Sequence, residues 1–355
     1  MSLFYQTLGP DGFGTYHTSW SEDGPTFERV HKPHEATLIP GFVDIHIHGA
    51  FGIDFMSATR EEMGILSRQL RGIGYEAFLP TTVTASPADV ERALSVLDDS
   101  DPSIWGFHLE GPFISPEFPG AQPPSSIVLP PVGPSEWDPI LDHPALKVIT
   151  LAPELPNATT LITRLFERGV RVGMGHTNAT YDEARMGYEC GATHTTHTFN
   201  AMRGFHHREA GMVGYALEND GLACELIYDR LHVTENSARV LLHNKPFDQI
   251  LAVSDSTMAT GLEPGRKFTM WGLDVVKGKG DIRLASNGAL AGSAITLYDA
   301  FVNLVDDFGF EIAVLACCIN PRNLLGRTEP PAVWLELDDD LRIVGTLGRD
   351  GKRRN

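Results

Sequence analysis

The chain has 355 residues, of which 42% are hydrophobic and 21% are charged. This composition provides for a sizeable core and excludes a disordered or coiled-coil protein. The formal net charge of -18 makes nucleic acids and anionic membrane surfaces unfavourable partners, since both repel a negatively charged protein. No apolar run approaches the length of a membrane span, no secretory signal is recognisable, and the four cysteines form no CxxC pair, so we expect a cytoplasmic protein.

The first and last parts of the chain differ from its middle. Residues 1–38 are polar with scattered Gly and Pro, which predicts a β-rich or irregular lead-in. Residues 332–345 alternate between apolar and polar on both sides of an acidic turn, a pattern typical of a hairpin. We expect the basic tail, residues 348–355, to be frayed.

The middle of the chain alternates short apolar runs with segments of helical spacing, which predicts a (β/α)8 barrel. The predicted strands are 42–48, 76–82, 103–110, 146–154, 169–176, 191–197, 223–229 and 249–255. The predicted helices between them are 59–73, 87–98, 157–168, 181–189 and 234–244. A doubly wound open sheet is the structural rival, but the GxGxxG turn that it favours after its first strand is absent.

The first predicted barrel strand carries two histidines. Because strand side chains alternate between faces, Asp44, His46 and His48 are expected on one face and the intervening apolar residues on the other, against helices. Gly49 ends the strand, which places both imidazoles near the barrel mouth, where a cation such as Zn²⁺ could bind them. The alternative is a pair of hydrogen-bonded core histidines.

Four further chemically active residues close other predicted strands: Glu110, His176, His197 and Asp255. The carboxyl ends of barrel strands meet at one face, so these side chains are expected to converge with the histidine pair. Buried carboxylates and imidazoles are costly without partners, which favours a functional site over a structural arrangement. His108 and His194 remain ambiguous, because spacing alone allows either His194 or His197 to be a ligand. For Asp255 the alternative role is a helix cap.

The motifs in this order carry a family resemblance. The segment PGFVDIHIHG at 40–49 resembles the opening strand of the amidohydrolase superfamily. Within that superfamily, the later blocks resemble the N-acetylglucosamine-6-phosphate deacetylase family, and the matches run in order from about residue 39 to 345. They are EGPF at 110–113, GHTNAT at 175–180, THTFNAM at 196–202, REAGMVG at 208–214, LHV at 231–233, SDST at 254–257, LAGS at 290–293 and NPRNLLG at 320–326.

The resemblance implies a TIM-like (β/α)8 amidohydrolase barrel over residues 39–328. It also implies a small β-sandwich-like domain built from residues 1–38 and 329–355. By the family pattern, Glu110, His176 and His197 would hold the principal divalent metal, while His46 and His48 would serve a second. Zn²⁺ or Fe²⁺ is the expected ion, one or two per subunit, with Co²⁺ or Mn²⁺ as alternatives.

The resemblance also implies an activity, the removal of the acetyl group from N-acetylglucosamine-6-phosphate, with Asp255 as general base and then general acid. The implied substrate-binding residues are Ala121, Gln122, Asn200, Ala201, Arg208, His232, Leu290, Ala291 and Gly292. Arg208 suits a phosphate and in the family reaches the neighbouring subunit's substrate, which implies a homodimer. From local sequence alone, Arg208 could equally be a solvated surface cation.

Two residues depart from the family pattern. Gln122 stands where the family has a histidine that polarises the acetyl carbonyl, and Arg230 stands where it commonly has glycine. The Gln122 amide can donate a hydrogen bond to the substrate but carries no charge, and we expect Arg230 either to add a phosphate or carboxylate contact or to narrow the pocket. Two alternative functions remain open. One is an amidohydrolase for N-acetylgalactosamine-6-phosphate or another N-acyl substrate, and the other is a catalytically silent sugar-phosphate-binding protein.

Overall fold

The computed structural model describes residues 3–354. Its strands divide between a barrel, a sheet made from the two ends of the chain and a small insertion. In chain order they are β1 (Leu3–Gly9), β2 (Gly12–Ser21), β3 (Gly24–Arg29), β4 (Ala36–Pro40), β5 (Phe42–Ile47), β6 (Gly49–Ala50), β7 (Ile53–Asp54), β8 (Tyr75–Pro80), β9 (Phe107–Glu110), β10 (Leu146–Leu151), β11 (Arg171–Met174), β12 (His194–Thr195), β13 (Ala223–Ile227), β14 (Ile250–Val253), β15 (Lys267–Met270), β16 (Leu273–Lys277), β17 (Ile282–Leu284), β18 (Val333–Leu337) and β19 (Ile343–Gly348).

The helices lie mainly between the barrel strands. They are α1 (Arg60–Gly72), α2 (Pro87–Leu94), α3 (Asp138–Leu141), α4 (Ala158–Glu167), α5 (Tyr181–Glu189), α6 (Gly211–Glu218), α7 (Glu235–Asn244), α8 (Leu297–Phe308), α9 (Phe310–Val314) and α10 (Asn320–Leu324). A π-helical turn, Leu315–Ile319, joins α9 to α10. No helix within residues 3–354 has both the length and the apolar character required to cross a bilayer.

Eight parallel strands form the barrel, and each overlaps one of the eight predicted runs. Strands β9 to β14 pair in sequence order, and β5 pairs with β8. Three isolated parallel bridges join these parts: Phe78 with Ile104, Ile47 with Ser256, and Thr81 with His108. The second bridge closes the ring, since the His48 amide donates to the Ser256 carbonyl at 2.9 Å. The predicted barrel is confirmed, and the open-sheet alternative is wrong.

The five predicted helices are present within a few residues of their expected bounds. Ser86 caps α2 with Pro87 in its first turn, and Thr180 forms a capping box at the start of α5, so capping chemistry sets both starts. The sequence prediction did not include α3, α6 or the short paired strands β6 and β7. It also did not include the region after β14, where a three-stranded sheet (β15–β17) precedes α8.

The two ends of the chain build one six-stranded sheet in the order β19-β18-β4-β1-β2-β3. The predicted hairpin is confirmed as β18 and β19, which pair antiparallel. Strand β4 crosses the proposed boundary at residue 38, and the domain limits stay a prediction. The expectation of a frayed tail is wrong for residues 348–354. The Arg354 amide donates to the Thr346 carbonyl at 2.9 Å, and Arg353 forms a 2.8 Å ion pair with Glu336; Asn355 lies outside the described residues.

Candidate active site

The side chains predicted to converge do so at the mouth, the end of the barrel at which the strands terminate. Glu110 is at the centre, with a side chain 2% exposed. Its Oε1 lies 3.3 Å from His46 Nε2, 3.2 Å from His176 Nε2 and 3.1 Å from His197 Nε2. Its Oε2 lies 3.3 Å from His48 Nε2. One carboxylate therefore contacts four imidazoles contributed by three other strands.

Asp255 faces the same centre from the end of β14. Its Oδ1 is 3.3 Å from His48 Nε2 and 3.7 Å from His46 Nε2, and its backbone amide donates to the His46 carbonyl at 2.9 Å. The contacts with β5 and the barrel interior oppose the alternative that Asp255 is simply a helix cap. Burial alone would raise the pKa of Asp255, but the hydrogen bond from His48 and the charges of both histidines hold it below the ordinary value.

Backbone strain is concentrated at these strand ends. His176, His197 and Asp255 have φ values of 46°, 32° and 48°, in the left-handed region that side chains other than glycine seldom adopt. Such conformations cost free energy and persist where the surrounding structure imposes them, often at functional sites. Here the sharp turn after each strand directs the side chain into the centre of the mouth.

Three histidines are oriented alike: Nδ1 faces an acceptor and Nε2 faces the cluster. The acceptors are Glu225 Oε2 for His46 (3.1 Å), the Thr81 carbonyl for His48 (3.1 Å) and the Phe118 carbonyl for His176 (3.0 Å). In its neutral form each ring then carries its proton on Nδ1 and presents the Nε2 lone pair to Glu110 and Asp255. Metal-binding histidines show this same pattern of outer hydrogen bonds.

The cluster is short of positive charge. His46 Nε2 is buried without a hydrogen-bond partner, and His176 Nε2 lies only 3.0 Å from His197 Nε2. Burial lowers the pKa of His48, but Asp255 and Glu110 outweigh it and raise that pKa to about 9. The carboxylates thus draw protons onto the histidines, and a divalent cation would replace those protons. Two groups could hold one: Glu110, His176 and His197, and His46, His48 and Asp255.

Asp44 does not join the cluster, contrary to the strict alternation expected for β5. Its carboxylate instead lies 3.3 Å from the Tyr75 hydroxyl and 3.3 Å from the Ser254 amide. Val43 and Ile45 also differ from expectation, since they pack with side chains of other barrel strands in a small separate cluster. The pairing of β5 with β8 shifts register between Asp44 and Ile47, and such an irregularity reverses the facing of the residues before it.

The two ambiguous histidines are not in either candidate ligand group. His194 Nδ1 lies 2.8 Å from the Thr193 hydroxyl and its Nε2 lies 3.3 Å from Glu225. His108 bridges the Ile45 carbonyl and the Thr150 hydroxyl, and burial lowers its pKa to about 3. Both are therefore hydrogen-bonded structural histidines. Glu225, which orients His46 and contacts His194, was missed because a lone acidic residue within an apolar strand gives no positional signal.

A cavity of about 140 Å³ opens onto the cluster. Its walls include seven of the nine residues predicted to bind substrate: Ala121, Gln122, Asn200, Ala201, His232, Leu290 and Gly292. Ala291 is fully buried and packs in the core of the β15–β17 insertion instead. Arg208 is exposed and does not line the cavity of its own chain.

The nitrogen and the oxygen of the Gln122 side-chain amide both form hydrogen bonds within the protein. Its Nε2 donates to Glu110 Oε2 at 2.5 Å, and its Oε1 accepts from the Thr84 amide at 2.7 Å. The amide N–H that was expected to reach a substrate carbonyl is thus directed at Glu110. In this structure Gln122 orients the central carboxylate.

Arg230 points away from the cavity, so the expectation that it contacts substrate or narrows the pocket is wrong. Its Nε donates to Asp307 at 2.6 Å, and a second nitrogen lies 3.4 Å from Asp306. Its φ of 64° is in the left-handed region, where glycine is favoured. This backbone conformation explains why the family commonly has glycine at position 230. In this chain, ion pairs with two aspartates of α8 stabilise the arginine in its place.

Two lining residues were not anticipated, Gly120 and Trp271. A side chain at Gly120 would lie 3.0 Å from His176 Cε1, and its φ is +56°, so this position is restricted to glycine. The Trp271 ring stands edge-on to His48 at 5.0 Å, and its Nε1 donates to Asp54 at 2.8 Å. The sequence did not predict that Trp271 lines the cavity, because an isolated tryptophan in a segment without clear periodicity does not indicate where its side chain lies.

Comparisons with known proteins agree on one family. The model of the Amidohydrolase family matches residues 37–329. N-acetylglucosamine-6-phosphate deacetylase of Bacillus subtilis is 35% identical over 287 residues, 77% of this chain and 71% of that protein. N-acetylgalactosamine-6-phosphate deacetylase of Escherichia coli O157:H7 is 33% identical, covering 81% of this chain and 78% of that protein.

Similar solved structures indicate the same family. N-acetyl-D-glucosamine-6-phosphate deacetylase of Mycobacterium smegmatis, a mutant in complex with N-acetyl-D-glucosamine-6-phosphate, superposes with a TM-score of 0.90. It is 30% identical, and the match covers 99% of this chain and 98% of that one. The enzyme of the same name from Thermotoga maritima gives a TM-score of 0.88 at 31% identity, covering 98% of each chain.

Proposed function

The chain belongs to the amidohydrolase family, and from this we propose that it hydrolyses the acetamide bond of N-acetylglucosamine-6-phosphate to give glucosamine-6-phosphate and acetate. The observation that carries the proposal is the convergence of Glu110, four histidines and Asp255 at the barrel mouth, beside a cavity. Both the relatives and the solved structures with this architecture bear the name of a deacetylase of an N-acetylated amino-sugar 6-phosphate.

Two sets of residues would hold divalent metal. Glu110, His176 and His197 would form the principal site, and His46 and His48, with Asp255 beside them, a second. Zn²⁺ and Fe²⁺ suit these nitrogen and oxygen donors best, and Co²⁺ or Mn²⁺ could substitute. A bound divalent cation supplies Lewis acidity and lowers the pKa of water toward neutrality.

Asp255 is the proposed proton carrier. As a buried carboxylate whose pKa is held low, it is deprotonated at neutral pH and can accept the proton of the attacking water. It then returns this proton to the departing nitrogen, which must be protonated because an amide anion is a poor leaving group. One carboxylate at the end of β14 thereby serves both steps. His48 at 3.3 Å holds it in place between them.

The substrate phosphate requires positive charge that this cavity supplies only in part. Among the described residues that line it, His232 is the one basic side chain without a place in the metal groups, and none is Lys or Arg. Burial lowers the pKa of His232, but its 2.7 Å contact with Asp229 outweighs this and raises it. We infer that Arg208 of a second copy completes the phosphate site, which makes the protein a homodimer. The exposed position of Arg208 in its own chain supports this.

The remaining predicted residues fit an amino sugar. Asn200 and Ala201 follow the His197 turn, while Leu290 and Gly292 form the opposing wall. We assign Gln122 to the positioning of Glu110, since both sides of its amide are engaged. The four free cysteines fit a reducing compartment, which supports the cytoplasmic location that we propose.

The test is acetate release by the metal-loaded protein from N-acetylglucosamine-6-phosphate and, in parallel, from its galacto epimer. Acetate from the gluco substrate, lost in Asp255→Asn by about 10²–10⁴-fold, is the expected result. Preference for the galacto epimer would transfer the assignment to that substrate, which one relative's name already indicates. Binding of either sugar without turnover would identify a silent binding protein. Gln122→His is the companion variant, and a change in substrate preference would contradict a pure positioning role.

A further inference from the structure

A second cavity lies at the floor, the end of the barrel at which the strands begin. It has a volume of about 690 Å³ and is formed where α1 and the start of β8 meet the terminal sheet. Three arginines line it, Arg68 and Arg71 from α1 and Arg354 from the C-terminal tail. An adjoining recess shares Arg71 and Arg354 and adds Arg349. Four guanidinium groups thus surround connected space in a chain of net charge -18.

The carboxylates near this space are already paired with arginines, one of which, Arg71, lines the cavity itself. Asp101 holds Arg71 at 2.8 Å, and the two acidic residues of the recess, Glu76 and Glu329, pair with Arg322 at 2.7 Å and Arg327 at 3.0 Å. Within residues 3–354, Arg68, Arg349 and Arg354 form no ion pair. Local positive charge therefore exceeds what the described acidic residues neutralise.

Arg349 provides a second observation. One guanidinium nitrogen donates to the Pro330 carbonyl at 2.9 Å, but its Nε is buried with no hydrogen-bond partner. A buried donor of a charged group is costly when unsatisfied, so a ligand acceptor at this point would stabilise it. The larger cavity also offers the Thr346 hydroxyl.

We propose that this floor cavity binds a small phosphate-type anion. Guanidinium groups recognise phosphate through planar, bidentate hydrogen bonds, and the juxtaposition of α1 with the C-terminal tail presents several of them to one space. The cavity lies at the opposite end of the barrel from the site at the mouth. The proposal therefore does not depend on the function assigned there.

The test follows ³¹P NMR line broadening when the full-length, metal-loaded protein is added to inorganic phosphate or glycerol-2-phosphate. The test variant is Arg68→Ser/Arg354→Ser, which removes two exposed guanidinium groups without breaking an ion pair. The charge-matched control is Arg185→Ser/Arg239→Ser on helices α5 and α7, away from this cavity. It lowers the net charge equally and breaks only exposed ion pairs, which contribute little to stability. Comparing the two anions distinguishes an inorganic from an organic phosphate as the ligand.

Saturable binding to the wild type and the control, weakened about tenfold or more in the test variant, is the expected result. Absence of saturable binding to the wild type would overturn the proposal, and so would equal binding by the test variant. An equal loss in both variants would assign the effect to net charge and would also overturn it. Acetate release with an unchanged KM in the test variant separates this result from phosphate binding at the mouth.

Discussion

The two ends of the barrel both bury charge, but they neutralise it differently. At the floor, Glu76 and Arg322 are 4% and 5% exposed and form a 2.7 Å ion pair, and Glu76 also accepts from the Ala332 amide. At the mouth, Glu110 and Asp255 face histidines and the neutral amide of Gln122, and no Lys or Arg among residues 3–354 lines the cavity beside them. The floor pair carries its own counter-charge and holds the barrel to the terminal sheet. The described residues of the mouth supply no permanent counter-charge, only protons on histidines that a metal cation would replace, which is the property expected of a site that acquires a cation.

Breaking the floor pair should give the largest loss of stability. Glu76→Ala leaves the Arg322 guanidinium buried without its partner, and we expect the free energy of unfolding to fall by about 3–5 kcal/mol. Denaturant unfolding of the metal-loaded protein measures it. A double variant, Glu76→Met/Arg322→Met, should recover much of the loss because no charge then remains unpaired. A loss below about 1 kcal/mol in the single variant would show that the floor charge is solvated.

The corresponding change at the mouth should affect metal more than stability. Glu225→Gln weakens the acceptor that holds His46 Nδ1, 3.1 Å away, and we expect metal affinity or activity to fall about 10–100-fold. Competition with a chelator measures the affinity, and denaturant unfolding of the stripped protein provides the control. Unchanged metal affinity would mean that His46 is not a ligand.

A pH measurement tests the remaining basic group of the mouth. The folded-state pKa of His232 is above the ordinary value, so the stabilisation from its pairing with Asp229 is present below the unfolded pKa of about 6.5 and is lost as pH rises through the folded value. Asp229→Asn should lower the pKa of His232, which an NMR titration measures. The variant should also have a higher KM for the phosphorylated substrate near neutral pH. A pKa that does not move would remove Asp229 as its cause.

The smallest effect is expected for Arg230 at the rim of the mouth. Its guanidinium is already neutralised by ion pairs with Asp306 and Asp307. Arg230→Gly relieves a positive φ, which stabilises by about 1 kcal/mol, but loses exposed pairs with Asp306 and Asp307 worth at most about 1 kcal/mol each. We expect Tm to change by a few degrees at most and KM to stay constant. A large rise in KM would return Arg230 to the substrate site.

Local patterns predicted much of this molecule. The eight runs identified the barrel strands because most buried parallel strands are rich in apolar or β-branched residues and each is followed by a helix or loop. The strand-end positions of Glu110, His176, His197 and Asp255 followed from the same topology. Where the pattern was interrupted, prediction was wrong: the register shift in β5 removed Asp44 from the cluster, and no local signal reports such a shift.

Contacts between distant segments could not be read from the sequence. Trp271 reaches the mouth because its indole donates to Asp54, more than two hundred residues away. Gln122 faces Glu110 rather than solvent because the Thr84 amide holds its other end. The choice between His194 and His197 likewise depends on Glu225, a residue of the next strand. These contacts depend on the tertiary structure, and the spacing of residues along the sequence does not predict them.

The most direct test of the account is removal of metal by a chelator, followed by titration with Zn²⁺ while Tm and acetate release are recorded together. The account predicts that stripping lowers both and that Zn²⁺ restores both at one or two ions per chain, with proton release as His46 and His48 lose their protons. At 100–1,000 times the dissociation constant the stabilisation should be about 3–4 kcal/mol. Full activity and an unchanged Tm in protein shown to be free of metal would contradict it.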